Sequence, residues 1–77
     1  MLEVVNCFSV KKGFLTIELS QKREINPRDT GVVRIGEKRM NYIWEHNPKW
    51  ISVRSDDNPE SFIGSKVEFE VSLHGKR

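Results

Sequence analysis

The chain of 77 residues predicts an all-β fold, a small closed or nearly closed six-stranded antiparallel barrel. Three observations predict it. From Lys66 onward the chain alternates without a break. Val67, Phe69, Val71 and Leu73 fall on one side, with Glu68, Glu70 and Ser72 on the other, the period of a strand with one face toward a core. No segment repeats its apolar residues at helical spacing. Turn signals built from Gly, Pro, Asn and Asp recur at short intervals and cut the chain into six candidate strands. Closure would remove the unpaired edges that a small sheet otherwise carries.

The first strand runs from Met1 to Val10. Leu2, Val4, Phe8 and Val10 share one parity, with Asn6 as the break, and the β-branched residues favour a strand over a helix. Lys11-Lys12-Gly13 is a basic turn into the second strand, Phe14 to Leu19, which shows Leu15, Ile17 and Leu19 on one face. A three-residue connection containing Gly predicts a hairpin. Ser20 to Thr30 is polar and non-periodic except for Ile25. Asn26-Pro27 and Asp29 mark turns there, and a segment of this kind carries the chain from one edge of a barrel to another.

Gly31 to Gly36 is a third short strand bounded by glycines, and Glu37-Lys38 turns into a fourth, Arg39 to Glu45. Met40, Tyr42 and Trp44 share one face of it against Arg39, Asn41, Ile43 and Glu45. The Pro48 turn leads to the fifth strand, Trp50 to Arg54, as an antiparallel hairpin. Asn58 is placed to cap one helical turn with Pro59 in its first position. Phe62-Ile63-Gly64-Ser65 then leads into the last strand, with Gly64 giving the freedom for a tight entry turn.

The length fits one domain, residues 1–77, with a thin core worth on the order of 3–5 kcal/mol of net stability. Apolar residues are 36% and charged residues 31%, but four Phe, two Trp and one Tyr are more large aromatics than a disordered chain carries. A net charge of +2 with both signs interspersed is less lopsided than a dedicated duplex binder. Cys7 is the single cysteine, which excludes an intrachain disulfide framework. With no secretory leader pattern and no apolar run near about 18 residues, the expectation is a soluble cytoplasmic protein with no membrane partner.

Catalytic and ligand motifs are weak. Gly31 and Gly36 have phosphate-loop spacing, but Glu37 stands where the loop needs Lys, and a strand follows where it needs a helix. Asp56, Asp57, Asn58 and Glu60 lack the Gly and the ligand alternation of a calcium loop, and Pro59 interrupts them, so a solvated acidic turn is the better account. Cys7, His46 and His74 are not at metal spacing. Cys7 reads as a small buried hydrophobe, and a Cys7–His nucleophilic pair is a distant third reading. Glu68 and Glu70 share a solvent-side face, as such pairs commonly do. The expectation is therefore a non-enzyme with no small-molecule cofactor and no metal.

The aromatic and basic residues carry more. Tyr42, Trp44 and Trp50 flank one hairpin, with Lys38, Arg39, Lys49 and Arg54 beside them; Lys11, Lys12, Lys22 and Arg23 form a second basic set. Stacking rings beside a basic groove are how single-stranded nucleic acid is bound. A small barrel also needs large side chains to fill it, so each tryptophan divides between core and surface. Trp50, opening its strand beside the Pro48 turn, is the more exposed of the two on this reading.

The order of these signals resembles the β-barrel second domain of translation factors of the elongation factor Tu type. The residues that carry the likeness are a first strand ending near Phe8, the Lys11-Lys12-Gly13 turn and a strand after it. A crossing segment then ends in Asp29-Thr30-Gly31-Val32-Val33-Arg34-Ile35-Gly36, and a glycine turn, Gly64-Ser65-Lys66-Val67-Glu68-Phe69, enters the closing strand. Arg28 stands where that family has a glycine before the aspartate, Ser65 stands where it has an acidic residue, and its GTPase domain has no counterpart here. The resemblance implies a non-catalytic barrel that binds RNA or a ribonucleoprotein surface. The contacts expected are Lys11, Lys12, Lys22, Arg23, Lys38 and Arg39, with Trp50 as a stacking ring. The alternative is a small protein-binding adaptor or inhibitor using the exposed face of the Arg39–Arg54 hairpin.

Overall fold

The computed structural model describes residues 2–23 and 28–70. Six strands, β1 (Val4–Lys11), β2 (Phe14–Leu19), β3 (Thr30–Ile35), β4 (Lys38–Trp44), β5 (Trp50–Arg54) and β6 (Val67–Phe69), form one antiparallel sheet in the order β1-β2-β5-β4-β3-β6. The two hairpins β1–β2 and β3–β4 are there as the turn residues require. Gly13 and Gly36 take φ of 86° and 65°, the left-handed region open to glycine at little cost. Ile35 pairs with Lys38 across a loop of two residues, with glycine at its first position. The polar segment after β2 moves the chain from second to fifth place in the sheet, so it does cross over. It is tied to the end of β4, where the Arg28 amide donates to the Trp44 carbonyl at 3.1 Å and the Trp44 amide to the Asp29 carbonyl at 2.9 Å. Ile25 and the Asn26-Pro27 turn lie outside the described residues.

The inner face is built by strand alternation. Leu15, Ile17 and Leu19 of β2, Val33 and Ile35 of β3, and Ile51 and Val53 of β5 are all 1% exposed or less. Tyr42 and Trp44 of β4 join them, and Met40 packs against their edge, so the face expected for β4 is the face that is buried. Trp44 is core. Gly31 sits opposite Tyr42 in the register, and a Cβ there would come within 3.0 Å of the tyrosine hydroxyl. The bare backbone is what lets the ring lie flat across β3.

The sheet curls into an open half-barrel and does not close. Its end strands β1 and β6 meet only at the bridge between Glu3 and Lys66. Amides of Val4, Gly64 and Val67 donate there to Ser65, Val4 and Leu2 at 2.8–3.0 Å. Within the described residues β6 is three residues long; Val71 and Leu73, expected to extend it toward the core, lie outside them. The 3₁₀ turn Pro59–Phe62, capped by Asn58 as its sequence predicts, packs against β1 and contributes the buried Phe62 to the core.

β1 departs from the expected parity. Val4 pairs with Leu19 and Asn6 with Glu18, two steps on β1 against one on β2, so Val5 is a bulge residue. One extra residue inverts the side chains that follow, as far as the second shift after Ser9. Cys7 therefore points inward at 7% exposure, while Phe8 and Val10, expected on the core side, are 46% and 67% exposed. A second register shift, between Ser9 and Lys11, brings Lys11 opposite Phe14.

Candidate nucleic-acid interface

The bulge in β1 turns the outer face of β1, β2 and β5 into an aromatic surface. Along β2 the outward residues are Phe14, Thr16 and Glu18, and each has a partner on both sides. Lys11 and Arg54 flank Phe14, Phe8 and Ser52 flank Thr16, and Asn6 and Trp50 flank Glu18. Phe8 and Trp50 come from different rows and different strands, yet their rings stack across β2 at 5.9 Å between centroids, inclined by 18°. Such a pair is worth about 0.5–1.5 kcal/mol beyond its burial. Phe8 remains half in solvent and Trp50 half-buried.

Cations gather at one end of this face. Lys11 Nζ lies 4.9 Å from the Phe14 ring centroid and Arg54 Cζ 5.4 Å from the same centroid, within cation–π range. Lys12 is exposed in the adjoining turn. Among the described residues, none of these three forms an ion pair within 4.0 Å. Carboxylates gather at the other end. Glu18 accepts from Asn6 Nδ2 at 2.9 Å and pairs with Lys49 at 3.7 Å, and Glu45 accepts from the Ser52 hydroxyl.

The remaining expected contacts are placed elsewhere. Lys38 binds Asp57 at 2.8 Å, holding that carboxyl below the usual carboxylate range with help from the Ser55 hydroxyl. Arg39 grips Glu70 through two donors at 2.7 and 2.8 Å; the bond lowers the Glu70 pKa and raises that of Arg39. Arg23 lies 5.1 Å over the Phe69 ring, which packs on Trp44 and Tyr42 at 5.3 and 5.0 Å. Lys22 is exposed beyond β2. The structure thus brings Lys11 and Trp50 onto one face, with Lys12 in the turn that adjoins it, and engages Arg23, Lys38 and Arg39 elsewhere. Phe8 and Phe14 are the members of the face that sequence reasoning did not assign; Arg54 was set beside the rings but not among the expected contacts. The visible signal for Phe8 was the Asn6 break in the alternation, together with the adjacent Val4-Val5 pair.

Other groups engage within the fold. Burial pushes the Cys7 thiol up to about 11, away from the thiolate that a nucleophile needs. Burial first, and then the Asp29 carboxylate, raise the Tyr42 phenol. Asn58 is used by the Glu60 amide. Among the described residues no three His, Cys, Asp or Glu side chains come together to hold a metal ion, and no helix is long and apolar enough to cross a membrane. His46 is exposed in its turn and His74 lies outside the described residues. A shallow hollow of about 390 Å³ beside the β3–β4 turn is lined by Arg34, Gly36, Glu37, Lys66 and Glu68; Arg34 and Glu68 pair with each other there.

No family model matches the chain, and no curated protein or solved structure matches it either. The functional reading therefore rests on the outer face itself.

Proposed function

We propose that the domain is a non-catalytic binding module that takes single-stranded RNA on the outer face of β1, β2 and β5. The observation that carries this is the half-exposed Phe8–Trp50 stack standing beside cations that, among the described residues, form no ion pair. A ring left in solvent leaves its apolar area unburied, and a base stacked on it covers that area for about 1–3 kcal/mol. Lys11, Lys12 and Arg54, which form no ion pair among the described residues, supply the attraction for the backbone. The order of turns that resembles a translation-factor barrel, and the curl of the sheet toward closure, agree with a module acting on RNA or a ribonucleoprotein surface. A single unpaired cysteine suits the reducing cytoplasm as the place of action.

Fluorescence anisotropy with a labelled oligouridine tests the reading. Binding that weakens steeply with salt, and that the same RNA in duplex form does not compete away, is the expected result. A folded domain that binds neither probe at low salt would remove RNA from the proposal.

One observation favours a protein partner instead. Beyond the Glu3–Lys66 bridge, the outer edge of β1 from Asn6 to Lys11 has no backbone partner among the described residues, and Val10 on it is 67% exposed. An extended peptide adding a strand to that edge would meet main-chain groups and apolar side chains together. Such a partner would survive high salt, and oligouridine would not displace it.

A further inference from the structure

The two ends of the aromatic face differ in charge, and the difference gives the site a direction. We propose that Lys11 and Arg54, one on each strand beside Phe14, form the phosphate-binding end of the single-strand site. The bound chain then runs along the strands, with a phosphate over Phe14 and the neighbouring base on the Phe8–Trp50 stack. This rests on the RNA reading above and sharpens it.

Four observations point this way. The cations are held in place by one ring, at 4.9 and 5.4 Å, because the second register shift of β1 aligns Lys11, Phe14 and Arg54 in a single row. Contact with a π face uses none of their N–H donors, so the ammonium and the planar guanidinium keep their hydrogen bonds for an anion. Among the described residues they have no ion-pair partner, whereas Arg34, Lys38, Arg39 and Lys49 each have one. Asp56 stands beside Gly13 and, among the described residues, forms no ion pair with either cation.

At the opposite end the charge is negative and already engaged. Glu18 is held by Asn6 and Lys49, and Glu45 takes the Ser52 hydroxyl. A phosphate placed there would face two carboxylates, while a base placed there meets acceptors for an N–H on its Watson–Crick edge, such as uracil N3–H. The Phe14 row and the Phe8 row are two residues apart on β2, about 7 Å. One nucleotide unit spans that distance from phosphate to base. A duplex hides its base faces in its own stack and offers nothing for the aromatic pair, so the layout selects single strands.

The test measures oligouridine affinity by anisotropy as a function of potassium chloride. A variant carrying Lys11→Gln and Arg54→Gln should lower the slope of log affinity against log salt by about 0.7 for each phosphate that the protein no longer neutralises. A variant carrying Phe8→Ala and Trp50→Ala should weaken binding at every salt concentration and keep the slope. Arg34→Gln, which removes a cation already paired, should change neither quantity. All these positions except Trp50 are exposed, and circular dichroism of each variant checks that it is folded. An unchanged slope in the Lys11/Arg54 variant, with the ring variant still weakened, would overturn the phosphate assignment and leave RNA binding standing. Absence of binding by the folded wild type would overturn both.

Discussion

The two halves of this sheet's outer face use their strand cations differently. Across β3, β4 and β6, cations meet carboxylates: Arg34 with Glu68, Arg39 with Glu70, and Lys38 of β4 with Asp57 from the loop after β5. Across β1, β2 and β5, the rings of Phe8, Phe14 and Trp50 lie open, and Lys11 and Arg54 rest on a ring and not on an acid. The number of basic residues does not distinguish the halves; pairing does. A cation whose partner is in its own fold has its field cancelled within the molecule, and one that leans on a ring keeps it for an incoming anion.

The largest effect that would sharpen this contrast is on RNA affinity. Replacing Phe8 and Trp50 together by Ala should reduce it by about 2 kcal/mol or more, since each stacked base is worth about 1–3 kcal/mol. Anisotropy measures it, and retention of wild-type affinity would break the contrast.

Alkaline titration reaches the floor of the open face. Cys7 is buried as the neutral thiol, with a folded pKa of about 11 against an ordinary 9.0. Stability from that burial is intact below pH 9 and drains as pH climbs through 11, by about 3 kcal/mol in all. Thermal melting against pH should show the loss, and Cys7→Ala should abolish that component.

Steric change behind the paired face comes next. Gly31→Ala puts a methyl group 3.0 Å from the Tyr42 hydroxyl and should cost about 1–3 kcal/mol, read from denaturant melts, with RNA affinity unaltered in the folded fraction.

The smallest effects belong to the paired charges themselves. Arg34→Gln breaks an exposed pair and should change stability by less than about 1 kcal/mol. Acid separates this half from the other. Asp57 and Glu70 have lowered pKa values because Lys38 and Arg39 bond them, so their contribution is present at neutral pH. It is lost as pH falls through the folded values, below the usual carboxylate value of about 4. Melting temperatures that stay level on both the acid and the alkaline side would overturn both assignments.

Local pattern made much of this molecule legible. The alternation of Leu15, Ile17 and Leu19, and of Met40, Tyr42 and Trp44, named the inner faces of β2 and β4, because side-chain direction in a strand follows from backbone geometry alone. Gly13, Gly36 and the Asn58-Pro59 pair named turns and a cap for the same reason: they act through their own φ, ψ and nearest amides. Of the basic residues expected at the site, Lys11 lies on the aromatic face with Trp50, while Lys38 and Arg39 pair with acids elsewhere. Their partners, Asp57 and Glu70, are 19 and 31 residues away in the chain, and no local pattern joins them.

Sequence by itself determined the class of fold, the inner faces of β2 and β4 and the positions of most turns, all properties of neighbouring residues. Tertiary structure decided three things. The bulge at Val5 turned Phe8 outward, strand order brought Phe8 and Trp50 together across β2, and each cation was assigned to an acid or to a ring. The physical reason is common to all three. Register and ion pairing are settled between strands distant in the chain, where a shift of one residue inverts a face at little cost to local propensity.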